Sequence, residues 1–228
     1  MDRNRLRLIA IDADDTLWDC QVWFDQAIDV FKKTLSPYAG EEELFDALTR
    51  TELGNMEKLG FGGKAFTISM VETAIAFGAD REQIDRVLRA GRSVIDMPAT
   101  PLPGVVETLK ALRGHYYTVL YTKGDLQEQA GKIRRSGLTP LFDETVIVPH
   151  KDAETYRDLC GSCGVEPEAF AMVGNSFKSD IAPVLEIGGW GIHVPCALSW
   201  AYEDIEEYDH PNLVRLASFR DLAPLLVG

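Results

Sequence analysis

Short apolar runs alternate with longer amphipathic ones along most of this chain. Runs of four or five residues occur at Leu8–Ile11, Thr118–Tyr121, Thr145–Val148, Ala169–Val173 and Gly191–Val194. That length suits a buried strand better than a helix. After Leu102 the runs are separated by helical stretches near Gly104–Arg113, Leu126–Ser136, Ala153–Ser162 and Ser179–Ile187. A last pair, near Leu213–Ala217 and Arg220–Leu226, closes the pattern. Strand alternating with helix predicts a parallel sheet covered on both faces, a Rossmann-like α/β core of three layers.

Between Trp18 and Pro98 the pattern is purely helical. Val22, Phe24, Ala27, Ile28, Phe31 and Leu35 lie at helical spacing, as do Leu44, Phe45, Leu48, Leu53, Met56 and Leu59. Asp80 followed by Gln83 resembles a capped helix start. Gly60, Gly62 and Gly63 break the pattern between two helices, and Pro98, Pro101 and Pro103 form a stiff exit. The expectation is an α-helical cap over residues 18–98, inserted into a core made of residues 1–17 and 99–228. Its apolar faces are free to bury against the core or against a second chain.

Composition changes this picture little, but charge narrows the partners. The 228 residues are 46% apolar and 26% charged, with a net charge of -13 from 36 acids and 23 bases. Such a surface repels nucleic acid and anionic membranes. A phosphorylated ligand then needs local positive charge from a metal or a lysine. The apolar run after MDRNRLR is too short for a signal peptide, and no stretch is long enough to span a bilayer, so a cytoplasmic location is expected. Cys160 and Cys163 form a CxxC without a second ligand pair, which reads as structural thiols.

The chemistry concentrates just past the strand ends. Asp12, Asp14 and Asp15, with Thr16, follow the first strand, at the sheet edge where open α/β folds bind ligands. Two converging carboxylates repel unless a cation lies between them or one is protonated. The arrangement suits either a hard cation such as Mg²⁺ or proton transfer, and a solvated Asp-rich turn would look the same. Further segments add weight. The second strand ends at Thr122, Lys151 follows the third, and Gly174-Asn175 leads to Asp180 after the fourth.

This ordered set, with the helical insert and the phrase Pro101-Leu102-Pro103-Gly104, resembles the haloacid dehalogenase superfamily of phosphatases over nearly the whole chain. The resemblance implies that Asp12 is a nucleophile forming an aspartyl-phosphate and that Asp14 is the general acid and base. Thr16 would brace the acidic loop, Thr122 would bind a phosphoryl oxygen, and Lys151 would offset negative charge. Mg²⁺ would be held by Asp12, the main-chain carbonyl of Asp14, Asn175 and Asp180. Asn175 departs from the family, which usually has an acid there, so the metal leans more on Asp180.

The implied activity is Mg²⁺-dependent hydrolysis of a small phosphorylated metabolite. The alternatives are a sugar-phosphate mutase, a metal-independent haloacid dehalogenase, which Asp14 argues against, and a non-catalytic binding module. Other residues read more plainly. Asp15 is a turn residue, Lys123 either helps bind phosphate or is a solvated loop lysine, His150 is a loop residue, and His193 is a structural strand residue. Trp18 either lines the pocket or packs on the insert helices. Lys64 and Arg92 are candidate anion contacts from the insert.

Overall fold

The computed structural model describes residues 3–198, 200, 203 and 205–228. Strand β1 (Leu8–Ile11) lies in the middle of a six-stranded sheet, between β2 (Tyr117–Lys123) and β4 (Phe170–Gly174). With β3 (Glu144–Val148), β5 (Trp190–His193) and β6 (Leu213–Arg215), the order is β3-β2-β1-β4-β5-β6, and every pairing is parallel. The chain winds outward from β1 through β2 to β3, then returns to β1's other side for β4, β5 and β6. The crevice past the carboxyl ends of β1 and β4 is therefore the switch point where such sheets bind ligands.

Strand geometry sends alternate residues to opposite faces. Ile9 and Ile11 of β1 enter an apolar cluster with Leu109 and Leu112 of α5 (Val105–Leu112), Ile133 of α6 (Leu126–Ser136) and Leu222 of α9 (Leu222–Leu226). Leu8 and Ala10 enter another with Tyr156 and Leu159 of α7 (Ala153–Cys163) and Val184 of α8 (Ala182–Glu186). The expected three-layer core is thus present. All of β1 is buried on both faces, which is why it reads as a continuous apolar run.

The helix expected over Ser179–Ile187 begins differently, as one π-helical turn at Phe177–Ile181, before α8. Pro183 has no N–H to return to the Ser179 carbonyl. That carbonyl instead accepts the Tyr156 hydroxyl at 3.0 Å.

Between β1 and α5 the chain forms α1 (Gln21–Leu35), α2 (Glu41–Leu59), α3 (Gly63–Ala76) and α4 (Arg81–Ile95). These have their own apolar cluster, including Phe31, Leu35, Leu44, Leu48, Phe66, Met70 and Val87. Asp80 and Gln83 form the expected capping box at the start of α4. Helix α3 crosses α4 closely, because a Cβ on Gly91 would collide with Thr67. Entry and exit of the insert run side by side, with the Leu102 N–H bonded to the Leu17 carbonyl at 2.8 Å.

Helix α6 grips the insert at two helix ends. The Glu128 carboxylate accepts the Gly63 and Lys64 N–H groups at 2.7 and 2.8 Å, at the start of α3. Arg135 donates to the Ile95 and Met97 carbonyls, both at 3.2 Å, where α4 ends. Negative charge at a helix start and positive charge at a helix end both complement the helix dipole. Among the described residues, no helix is long and apolar enough to cross a membrane.

Candidate active site

Asp12 follows β1 directly, and its N–H continues the ladder to the Val173 carbonyl at 2.9 Å. The strand therefore fixes its backbone. Its carboxylate is buried and bonded to the Lys151 ammonium. Lys151 also reaches Asp180 Oδ1 at 2.7 Å, so one buried lysine bridges two carboxylates. The Thr16 hydroxyl lies 3.0 Å from Asp12 Oδ2 and 3.1 Å from Asn175 Oδ1. Its single proton can serve only one of them at a time. Asp180 Oδ2 accepts the Ser176 N–H at 3.0 Å. A Cβ at position 174 would overlap the Asp180 carboxylate, which explains the glycine ending β4.

Burial pushes the Asp12 carboxyl up to about 7; Lys151 opposes this and the Asp180 charge adds to it. Burial acts to lower Lys151, but the two carboxylates beside it outweigh that and raise it well above the usual lysine range. Lys151 is therefore a fixed positive charge.

Asp14 is held by a different set. Trp18 Nε1 donates to Oδ1 at 2.7 Å, while Gln129 Nε2 at 3.0 Å and Lys132 Nζ at 2.5 Å donate to Oδ2. Burial pushes this carboxyl up, but the Lys132 charge and the three donors outweigh it and bring it below the usual range. Gln129 also donates to Thr122 Oγ1 at 2.6 Å, tying the second strand to the same group. Trp18 is fully buried in the core cluster, so it neither lines the cavity nor joins the insert cluster, the two places expected of it. Its indole positions Asp14 instead.

Asp15 has φ 59° and turns its carboxylate away to accept the Cys20 and Gln21 N–H groups at 2.8 and 3.1 Å. It caps α1, so it is the turn residue expected. Lys123 is more than a loop residue. Its ammonium pairs with Glu203 at 2.5 Å, reaches Ser179 Oγ at 3.0 Å and lies 4.4 Å from the Phe61 ring centroid. His150 packs edge-on against Phe61. His193 Nε2 lies 3.0 Å from the Asn175 carbonyl, so the strand histidine braces the last loop.

These groups open onto a cavity of about 590 Å³ between sheet edge and insert. Asp12, Asp14, Thr122, Lys151, Asn175 and Asp180 all line it, and Thr16 stands behind Asp12. Lys64 and Arg92 do not. Lys64 pairs with Asp125 at 2.7 Å and Arg92 is exposed, which corrects their expected role as anion contacts. Sequence reasoning missed Gln129, Lys132, Glu128, Phe61 and Glu203.

Among the described residues, no three Asp, Glu, His or Cys side chains gather as a metal cluster. A cation here would rest on Asp12 and Asp180, with neutral oxygen from Asn175 and main-chain carbonyls. Such a hard, oxygen-only donor set fits Mg²⁺, which keeps several waters of its own. All four cysteines are free thiols.

Among curated proteins, none matches the chain. A haloacid dehalogenase-like hydrolase from Xanthomonas campestris is 33% identical, with a TM-score of 0.88 over 98% of this chain and 91% of that one. A 2-haloacid dehalogenase from Pseudomonas syringae is 18% identical, covering 97% and 98% of the two chains with a TM-score of 0.67. A predicted phosphoglycolate phosphatase from Haemophilus somnus, also 18% identical, covers 97% and 98% with a TM-score of 0.61. These last two share the fold while their descriptions name different chemistries. The family model for the haloacid dehalogenase-like hydrolases matches residues 6–188, from the strand that leads to Asp12 through the π-helical turn that carries Asp180. With that match and the strand-end acids in their expected order, the chain belongs to the haloacid dehalogenase-like hydrolases.

Proposed function

We propose that the protein is a Mg²⁺-dependent phosphatase acting on a small phosphorylated metabolite. One observation carries this reading: a second acid, Asp14, faces the same cavity as the strand-end Asp12–Lys151 pair. A displacement at carbon by Asp12 alone, as in a dehalogenase, has no use for that acid. Phosphate ester hydrolysis needs it twice.

In this mechanism an Asp12 oxygen bonds to phosphorus as the bond to the alcohol oxygen breaks. Asp14 gives its proton to the departing alkoxide. A water then attacks phosphorus, Asp14 takes its proton, and the acyl-phosphate bond breaks to release phosphate and restore Asp12. Asp14 starts as a carboxylate beside Lys132. An arriving phosphate brings negative charge next to it, which raises its affinity for the proton it must donate. Lys151 stabilises charge on Asp12 and the transferring group, and Thr122 offers its hydroxyl to a phosphoryl oxygen. Asp12, the Asp14 carbonyl, Asn175 and Asp180 would hold Mg²⁺, which would offset the repulsion between carboxylate and phosphate. The insert serves as the cap that excludes bulk water.

The test is phosphate release from an aryl phosphate with Mg²⁺, with EDTA, and with Asp12→Asn. Release should fall at least about 1,000-fold in the variant and be lost in EDTA. Release that survives both sinks the mechanism. Folded protein that releases no phosphate from any ester points to the mutase or binding module, and turnover of 2-chloropropionate without metal points to the dehalogenase.

A further inference from the structure

The insert side of the active-site cavity has a chemistry unlike the sheet side. All its lysines, Lys123, Lys132 and Lys151, come from the core, and each is already paired with a carboxylate. Among the described residues, the insert contributes no lysine, arginine or histidine to the wall. Lys32, 4.9 Å from the Phe45 ring centroid, lies outside it. The insert does contribute two acids. Asp25 is engaged by Gln21 at 2.9 Å. Glu52 has no hydrogen-bond or ion-pair partner among the described residues.

Glu52 sits in a defined stripe. Phe45, Thr49, Glu52 and Met56 recur at three- and four-residue spacing on α2, and all four line the cavity. On the flank beside this stripe, Leu44 and Leu48 of α2 pack into the insert cluster. The same cavity is also lined by the edge-to-face pair Phe24–Phe66, with centroids 4.9 Å apart. A lone carboxylate in a phenylalanine-lined wall is poorly solvated, and burial pushes its pKa up to about 7. Carboxylate and aromatic faces together are the chemistry that binds an ammonium group.

We propose that Glu52 is a specificity-determining residue, and that the preferred substrate is a phosphate ester whose alcohol combines an apolar body with a distal ammonium group. This rests on the phosphatase reading for the phosphate end of the ligand. The same wall disfavours an ester bearing a carboxylate, since no unpaired cation there would receive it.

The test uses ω-aminoalkyl phosphates of three to eight carbons. Their partners are alkyl phosphates with methyl in place of ammonium, and ω-carboxyalkyl phosphates. In the intact protein with Mg²⁺, kcat/KM for the best amino ester should exceed that of its methyl partner about tenfold or more, with the carboxyl ester lowest. Glu52→Gln should erase that preference. Equal or better turnover of methyl or carboxyl esters by the native protein overturns the proposal, without recourse to any variant. Calorimetric binding of the corresponding phosphonates separates the two readings. Ammonium preference in binding with no ester hydrolysed keeps Glu52 in this role and overturns the phosphatase. Hydrolysis without ammonium preference does the reverse.

Discussion

Lys132 occupies a position on α6 that an amphipathic helix ordinarily gives to an apolar residue. The buried stripe of this helix reads Glu128, Gln129, Lys132, Ile133 and Ser136, polar where leucine would be expected. That inversion is the sequence signal that could have revealed Gln129 and Lys132, because burying Glu128, Gln129 and Lys132 on one face requires partners. The partners are the start of α3 and Asp14, neither of which can be read from local spacing. Asp12, Lys151 and Asp180 were legible because each follows a strand, so position along the chain fixes position at the sheet edge. If Lys132 positions the proton carrier, Lys132→Met should lower kcat about 10- to 100-fold with a smaller change in KM. An unchanged kcat in steady-state assays would remove Lys132 from the machinery.

Among the elements, the strands were legible almost residue by residue, most plainly β1 and β4, where double-sided burial leaves a continuous apolar run. Helix α3 was not. It buries Ala65, Phe66, Met70 and Ala74 but also Thr67, Ser69 and Thr73, so its contacts with α2 and α4 blur any apolar stripe. Its threonines are satisfied locally, with Thr67 donating to the Gly63 carbonyl at 2.6 Å and Thr73 to Ser69 at 2.7 Å. What anchors α3 comes from outside the insert, through the Glu128 carboxylate at its first turn. Charge-assisted bonds to backbone N–H groups at a helix start give Glu128→Ala an expected loss of about 2 kcal/mol. For a chain of this size that is roughly 4–8 °C in Tm. Hydrogen exchange should show faster opening at Gly63 and Lys64 than at Val87 of α4. Uniform loosening of the insert would mean that the clamp is not local.

At the scale of the whole molecule, pH acts through buried acids. Glu52 has a folded pKa of about 7, above its ordinary value of 4.5, so between those limits the native state binds more protons than the unfolded chain. Its contribution to stability is present below about pH 4.5 and is lost as pH rises through 7. Asp12 and Asp15 shift the same way, so the informative quantity is a difference between proteins. Glu52→Gln should match the native Tm at pH 4.5 and exceed it by roughly 2–6 °C at pH 8. A gap that stays the same from pH 4.5 to pH 8 would show that the Glu52 carboxylate is well solvated. The division between α6 and α2 has a consequence for how this enzyme can diverge. Helix α6 holds the Asp14 carboxylate and both gripped ends of the insert, so a change there disturbs this buried acid and the architecture together. Helix α2 packs mainly on α3 and α1, and among the described residues its cavity stripe makes no hydrogen bond to the gripped ends or to Asp14. New substrates can therefore be explored by drift at positions 45, 49, 52 and 56, while the reaction itself is inherited unchanged.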